Sequence, residues 1–212
     1  MIRNIIFDLD GTLINTLEDL RDSVNHVLSL HGYPTRDLDE VRRFVGNGIP
    51  KLCERAAPDG ISAQELAGIV REMKEWYPAH SEICTRPYDG IPELLKKLSG
   101  KDVRMAVVTN KTESAAKRLC ADMFGGVFTA VIGENGGPLK PDPYPVRRAM
   151  KAMGAIQAQT VCVGDSEVDV RTAKNAGLSA VGVLWGFRDR RTLATAGADV
   201  IISAPEELLT IL

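Results

Sequence analysis

The chain commits itself to a sheet within its first seven residues. Asn4 leads into Ile5-Ile6-Phe7, a short apolar run with no polar alternation. Such a run reads as a strand buried on both faces, which parallel sheets covered by helices provide. It ends in Asp8-Leu9-Asp10-Gly11, and Asp-Gly marks a sharp turn. Two carboxylates therefore stand at the C-terminal end of a strand, where open α/β sheets hold their ligands. If the backbone stays extended through Leu9, Asp8 and Asp10 point to the same side. Taken alone, the pair is equally an ordinary turn after an edge strand.

The next stretch has a different rhythm. Leu17, Leu20, Val24, Val27 and Leu28 recur at helical spacing. A second helix fits Leu38, Val41, Phe44 and Val45, with Thr35 or Asp37 as its cap and Gly46 as its end. Gly46-Asn47-Gly48-Ile49-Pro50 forms a tight turn into a short helix. Ser62-Ala63-Gln64-Glu65 matches a capping box and opens a helix that is expected to stop at Pro78. From about Ile14 to Ala79 the pattern predicts helices and no strand. From Ser81 onward strands alternate with helices: Val103–Thr109, Val127–Ile132, Thr160–Gly164, Ser179–Leu184 and Val200–Ser203 are the strands, and Pro205 starts a last helix. Strands separated by helices imply parallel pairing through right-handed crossovers. The expected architecture is a doubly wound parallel α/β core, residues 1–14 and 82–212, interrupted after its first strand by a helical insert, residues 15–81. The insert begins just past the Asp pair and so is placed to act as a lid, hinged near Asn15 and Ser81.

Three of the strands run straight into polar residues. The first ends at Asp8 and Asp10, the second at Thr109-Asn110-Lys111, and the fourth at Asp165-Ser166-Glu167-Val168-Asp169. Parallel pairing brings all three ends to one edge. Asp165 or Ser166 alone would be explained as a helix cap. Four aspartates, a threonine and an asparagine on one edge are not. Lys140-Pro141-Asp142-Pro143 adds a cation on a proline-stiffened loop. Carboxylates this close repel unless a cation joins them, and oxygen ligands without His or Cys select Mg²⁺ over zinc. A Mg²⁺, a lysine, a hydroxyl and helix-start N–H groups suit a phosphoryl group. One carboxylate is then free to attack phosphorus and another to move the proton of the leaving alcohol.

Composition is ordinary for a soluble globular protein. The 212 residues are 44% hydrophobic and 25% charged, with a formal net charge of -2. That gives no basic footprint for nucleic acid. No apolar stretch reaches the roughly 18 residues of a membrane span. Cys53, Cys84, Cys120 and Cys162 are scattered without metal-binding spacing, and no basic, apolar leader precedes the first strand. These features predict a cytoplasmic location. His26, His31 and His80 all fall in the early helical stretch, away from these motifs.

Asp8-Leu9-Asp10-Gly11-Thr12-Leu13 resembles the DxDGT[LV] motif of the haloacid dehalogenase-like superfamily of phosphatases and phosphomutases. Thr109-Asn110, Lys140 and Gly164–Asp169 resemble its second, third and fourth motifs, in the same order, so the resemblance covers the whole chain. It implies a Rossmann-like core with a C1-type helical cap. Three further stretches resemble the phosphoglycolate phosphatases within that superfamily: Val45–Gly48, Arg86–Ile91 and Gly182–Arg188. The resemblance implies that Asp8 is the nucleophile, forming an aspartyl-phosphate, and that Asp10 protonates the leaving group and then activates water. Asp8, the Asp10 carbonyl and Asp165 would hold Mg²⁺, with Asp169 a direct or indirect ligand. Thr109, Asn110 and nearby backbone N–H groups would hold phosphoryl oxygens, and Lys140 would neutralise charge.

One departure is Asn15-Thr16, where many relatives carry Asp-Ser. In the cap, Gly46 and Gly48 are candidates for close approach to a ligand. Arg43, Asn47 and Lys51 beside them, and Trp185 and Arg188 on the core edge, have ordinary surface or packing explanations. Glu18 and Asp19 are explained by the helix dipole. The expected activity is Mg²⁺-dependent hydrolysis of a small phosphorylated metabolite such as 2-phosphoglycolate, by a monomer or weak homodimer. A β-phosphoglucomutase-type phosphotransferase and a non-catalytic phosphate-binding protein are the alternatives. Asp10 and Asp165 argue against a dehalogenase.

Overall fold

The computed structural model describes residues 1–211. In chain order, β1 is Asn4–Phe7, β2 Ile14–Asn15, α1 Leu17–Leu30, α2 Leu38–Phe44, α3 Ile49–Ala56, α4 Ala63–His80 and β3 Arg86–Pro87. There follow α5 Ile91–Ser99, β4 Arg104–Thr112, α6 Glu113–Phe124, β5 Ala130–Glu134 and α7 Tyr144–Met153. The chain continues through β6 Thr160–Gly164, α8 Glu167–Asn175, β7 Ser179–Val183, α9 Arg190–Ala196 and β8 Val200–Ile202. By backbone contact it divides into two compact units, one made of Met1–Ile14 and the chain from Pro87 onward, the other Asn15–Arg86.

The first unit is built on a six-stranded sheet in the order β5-β4-β1-β6-β7-β8. Phe7 lies opposite Val107 on one side and Val163 on the other, and both pairings are parallel. The chain winds from β1 outward through β4 and β5, then returns to β6 and winds the other way, so β1 sits at the switch of direction where doubly wound sheets bind ligands. All of β1 is buried. Its alternation serves two cores: Ile5 and Phe7 join Leu94, Leu95, Leu98, Ala116 and Leu119, while Ile6 joins Val146, Ala149, Met153, Val170 and Ala173. Helices on both faces thus explain why the strand carries no polar side. Fully burying each such side chain is worth about 1.5–3 kcal/mol.

The second unit is helical. Asp37 and Ser62 each complete a capping box, with Glu40 and Glu65 respectively. His26, Trp76 and His80 form a continuous ring stack, and His31 pairs with Glu72 at 2.8 Å.

Several local expectations change. α4 runs through Pro78 to His80. Pro78 lies in the last turn, where proline removes a single helix hydrogen bond and the rest of the helix is unaffected. Two short strands not expected from the pattern, β2 and β3, pair in a two-stranded sheet at the connections between the units. The helical unit extends past residue 81 because Cys84 and Thr85 are tied to α1 by hydrogen bonds to Asp19. Pro205–Thr210 is 3₁₀ rather than α-helical. None of the helices among the described residues is long and apolar enough to cross a membrane.

Candidate active site

β1 delivers Asp8 to the sheet edge with its backbone still paired, since its N–H donates to Val163 O at 2.9 Å. The chain then folds into a tight loop. The Leu9 carbonyl accepts from the N–H groups of Leu13 and Ile14 at 2.9 and 3.1 Å, and Gly11 takes φ 96°. Asp8 and Asp10 consequently meet different lysines. Lys140 Nζ lies 2.6 Å from Asp8 Oδ1, and Lys111 Nζ lies 2.9 Å from Asp10 Oδ1.

β6 delivers the other acidic pair. Asp165 is buried, accepting from Thr12 Oγ1 at 3.2 Å and from the Phe187 N–H at 2.8 Å. Asp169, one helical turn on, has two functions. Its Oδ2 accepts from the Ser166 N–H and hydroxyl at 3.0 and 2.6 Å, closing the capping box of α8. Its Oδ1 accepts from Lys140 Nζ at 2.6 Å. Lys140 therefore bridges Asp8 and Asp169.

Lys140 is held from behind. The Asn110 side chain donates to the Lys140 carbonyl at 3.1 Å and accepts from its N–H at 2.8 Å. This amide, expected to face a ligand, is a two-point clamp on the lysine loop. Thr109 is buried beside it, and its Oγ1 accepts from the Lys111 N–H at 3.2 Å. Trp185 Nε1 donates to the Thr12 carbonyl at 2.9 Å, and Arg188 pairs with Glu167 at 3.0 Å, so both help fix this edge.

Packing around Asp165 leaves no room for side chains at its neighbours. A Cβ on Gly11 would lie 2.5 Å from Asp165 Oδ2, and one on Gly186 would lie 2.3 Å from both Asp165 Cβ and the Gly11 carbonyl. Asp-Gly thus serves the turn and the approach of a carboxylate at once, and the requirement at Gly186 comes entirely from tertiary packing.

The electrostatics are unbalanced. Asp8, Asp165 and Asp169 each offer an oxygen, all within 4.8 Å of one another. Burial raises the Asp8 pKa well above the ordinary value, helped by the charges of Asp169 and Asp165 and opposed by Lys140. Burial, then the charge of Asp169, pushes Asp165 up to about 7, although the Phe187 N–H and Arg188 oppose it. Burial alone would lower the Lys140 pKa, but Asp169 and Asp8 outweigh it and hold the ammonium charged. Three buried carboxylates thus crowd together, and one lysine pairs with two of them, Asp8 and Asp169. A hard divalent cation fits this oxygen-only cluster by charge and by donor type.

Gly46 and Gly48 lie in the turn between α2 and α3 of the helical unit, at φ 121° and 81°. Beside them Asn47 accepts from Arg55 at 2.9 Å and Lys51 pairs with Glu54 at 2.6 Å. Sequence reasoning missed Lys111 as the partner of Asp10, and missed Gly186. Lys111 adjoins the Thr109-Asn110 strand end, so its position on the active edge was readable, whereas its partner was not.

Comparison with known proteins agrees with this geometry. The family model for haloacid dehalogenase-like hydrolases matches residues 5–183. The phosphoglycolate phosphatase of Pseudomonas fluorescens is 36% identical over 98% of this chain and 78% of its own length. That of Aquifex aeolicus is 29% identical over 100% and 97%. Among solved structures, a predicted phosphoglycolate phosphatase from Haemophilus somnus superposes with TM-score 0.90 at 29% identity, covering 99% of this chain and 97% of that one. CbbY from Rhodobacter sphaeroides, solved in complex with phosphate, superposes with TM-score 0.77 at 26% identity, covering 98% and 96%. The chain belongs to the haloacid dehalogenase-like hydrolases. Within that family it is a phosphatase, and it is similar to the phosphoglycolate phosphatases.

Proposed function

We propose that this phosphatase hydrolyses 2-phosphoglycolate through an aspartyl-phosphate on Asp8, with Mg²⁺ as its cofactor. The observation that carries this reading is the buried cluster of Asp8, Asp165 and Asp169, two of which, Asp8 and Asp169, pair with the buried Lys140. Asp8 stands at the end of the central strand with its carboxyl turned into that cluster, as an in-line nucleophile requires. Lys140 opposes the rise that burial gives the Asp8 pKa and, with Thr109 and the adjacent backbone N–H groups, faces the charge on the phosphoryl oxygens. The P–O bond to the alcohol breaks as the Asp8 oxygen bonds to phosphorus, and the Asp10 carboxyl gives the alkoxide its proton. Asp10 then takes a proton from the water that cleaves the phosphoenzyme, which returns both aspartates to their starting state. Asp8, Asp165, the Asp10 carbonyl and Asp169 are the groups that would hold Mg²⁺, which when bound supplies charge neutralisation and orients the phosphoryl group. Gly46 and Gly48 of the helical unit, whose lack of side chains allows close approach of backbone to a ligand, are the residues proposed to select the substrate.

A phosphate-release assay across phosphorylated metabolites tests this reading. We expect 2-phosphoglycolate to be the best substrate, activity to require Mg²⁺, and Asp8→Asn to abolish it. Full hydrolysis by that variant, or undiminished hydrolysis in excess chelator, would refute the mechanism.

A further inference from the structure

The proposed reaction uses Asp10 but leaves Lys111 without a role. Lys111 sits on β4, two residues past Thr109, and its Nζ is 2.9 Å from Asp10 Oδ1. Both side chains are shielded, at 7% and 16% exposure. This differs from the Lys140 arrangement, where the lysine touches the nucleophile and the acidic cluster. The proposed roles put Lys111 on the leaving-group side of the reacting bond, since it contacts the proton donor rather than the nucleophile. Asp10 must reach the ester oxygen to protonate it, so a cation in contact with Asp10 lies beside the leaving group rather than beside the phosphoryl group. A carboxylate one carbon from the ester oxygen would fall within reach of that cation.

We propose that Lys111 is a specificity-determining residue that binds an anionic group on the leaving-group side, selecting phosphomonoesters of 2-hydroxy acids over neutral alkyl phosphates. Asp10 pairs with this lysine. An incoming carboxylate shares or takes that contact, leaving the Asp10 carboxyl turned toward the ester oxygen. A neutral alcohol offers nothing in exchange, so Asp10 stays held by Lys111 for more of the time. The substrate's own charge thereby sets both its binding and the placing of the proton donor. The inference rests on the proposed hydrolysis of 2-phosphoglycolate and adds the residue that recognises the carboxylate of its leaving group.

The test is a double-mutant cycle with one change on each side. Wild type and Lys111→Met are each assayed with 2-phosphoglycolate and with its neutral isostere, the phosphate ester of glycolamide. Wild type is expected to favour the acid by roughly 10–100-fold in kcat/KM, the range of one charge-assisted hydrogen bond. Lys111→Met is expected to lose most of that preference, with the KM for the acid raised and the KM for the amide within about twofold. Lys111→Arg, which keeps the charge, is expected to restore part of it.

A purely structural role for Lys111 would lower both substrates equally and leave the ratio unchanged, and that result overturns the inference. A wild-type ratio near one overturns it as well, and needs no variant that might fold poorly. Absence of phosphate release from either ester by wild type is a different failure, which would strike the phosphatase reading itself.

Discussion

Buried carboxylates occur in both units, and they are treated in opposite ways. In the helical unit, Asp19 is 2% exposed. It is nonetheless satisfied by neutral donors: the Cys84 N–H at 2.9 Å, the Thr85 N–H at 2.9 Å and the Thr85 hydroxyl at 2.7 Å. At the sheet edge, Asp8, Asp165 and Asp169 are buried too, yet three carboxylates crowd together around a lysine that pairs with two of them. The first arrangement completes itself and ties the segment before β3 to α1. The second is short of positive charge. A fold that leaves like charges crowded and underpaired stores an affinity for what it lacks, a cation and an electrophile. The difference between the regions lies in satisfaction, since both are buried.

Breaking that contrast should have graded effects. The largest is expected at the site's two central groups. Asp8→Asn should lower turnover about 10⁴-fold or more, and Lys140→Met by about 10²–10³-fold, both read from phosphate release under saturating substrate. Asp8→Asn should keep its melting temperature near that of wild type or above it, since removing one carboxylate relieves crowding, whereas Lys140→Met should melt lower, since it strips the cation from two buried carboxylates.

Next comes Asp165→Asn, for which stability and activity should move in opposite directions. Burial and Asp169 raise the folded-state pKa of Asp165 to about 7. The folded protein therefore binds more protons here than the unfolded chain. Stability without metal must fall as pH rises from the unfolded value through about 7. The metal-free variant should melt higher than metal-free wild type at pH 8 and show little advantage at pH 4. It should also lose most of the stabilisation that Mg²⁺ gives the wild type, as thermal scans at both pH values would show.

In the helical unit the sign reverses. Asp19→Ala removes a completed acceptor and strands three donors, so it should cost about 2–3 kcal/mol of stability, measured by urea unfolding with intact protein as reference. The smallest effect is expected at Lys51–Glu54, where the partners are 44% and 51% exposed. Lys51→Ala should stay within about 0.5 kcal/mol of wild type.

The same contrast explains what could be read from the amino-acid order. Asp8, Asp165 and Thr109 were legible because each ends a run of apolar strand residues, and parallel pairing leaves those ends nowhere else to go. The sheet itself followed from the alternation of strands and helices. Asp19 was not legible: two acidic residues at a helix start have a local explanation, and nothing near them announces Cys84 and Thr85, more than sixty positions away. Lys111 and Asp10 are likewise about a hundred positions apart. Asn110 was placed at the correct edge, but its clamp on the Lys140 backbone depends on a loop whose course only the tertiary structure gives. Gly186 is required by the bulk of Asp165, a neighbour in space alone. Short-range order thus located the groups, and long-range packing determined what each one meets.

The central claim is that crowding at the sheet edge makes Asp8 a nucleophile. The most direct measurement is acid quenching of the enzyme during turnover of 2-phosphoglycolate with Mg²⁺, followed by peptide mass mapping. The account predicts one phosphoryl group on the peptide carrying Asp8, present in wild type and absent from Asp8→Asn. Phosphate released at the wild-type rate by Asp8→Asn, or a phosphoryl group trapped on a different residue, would contradict it.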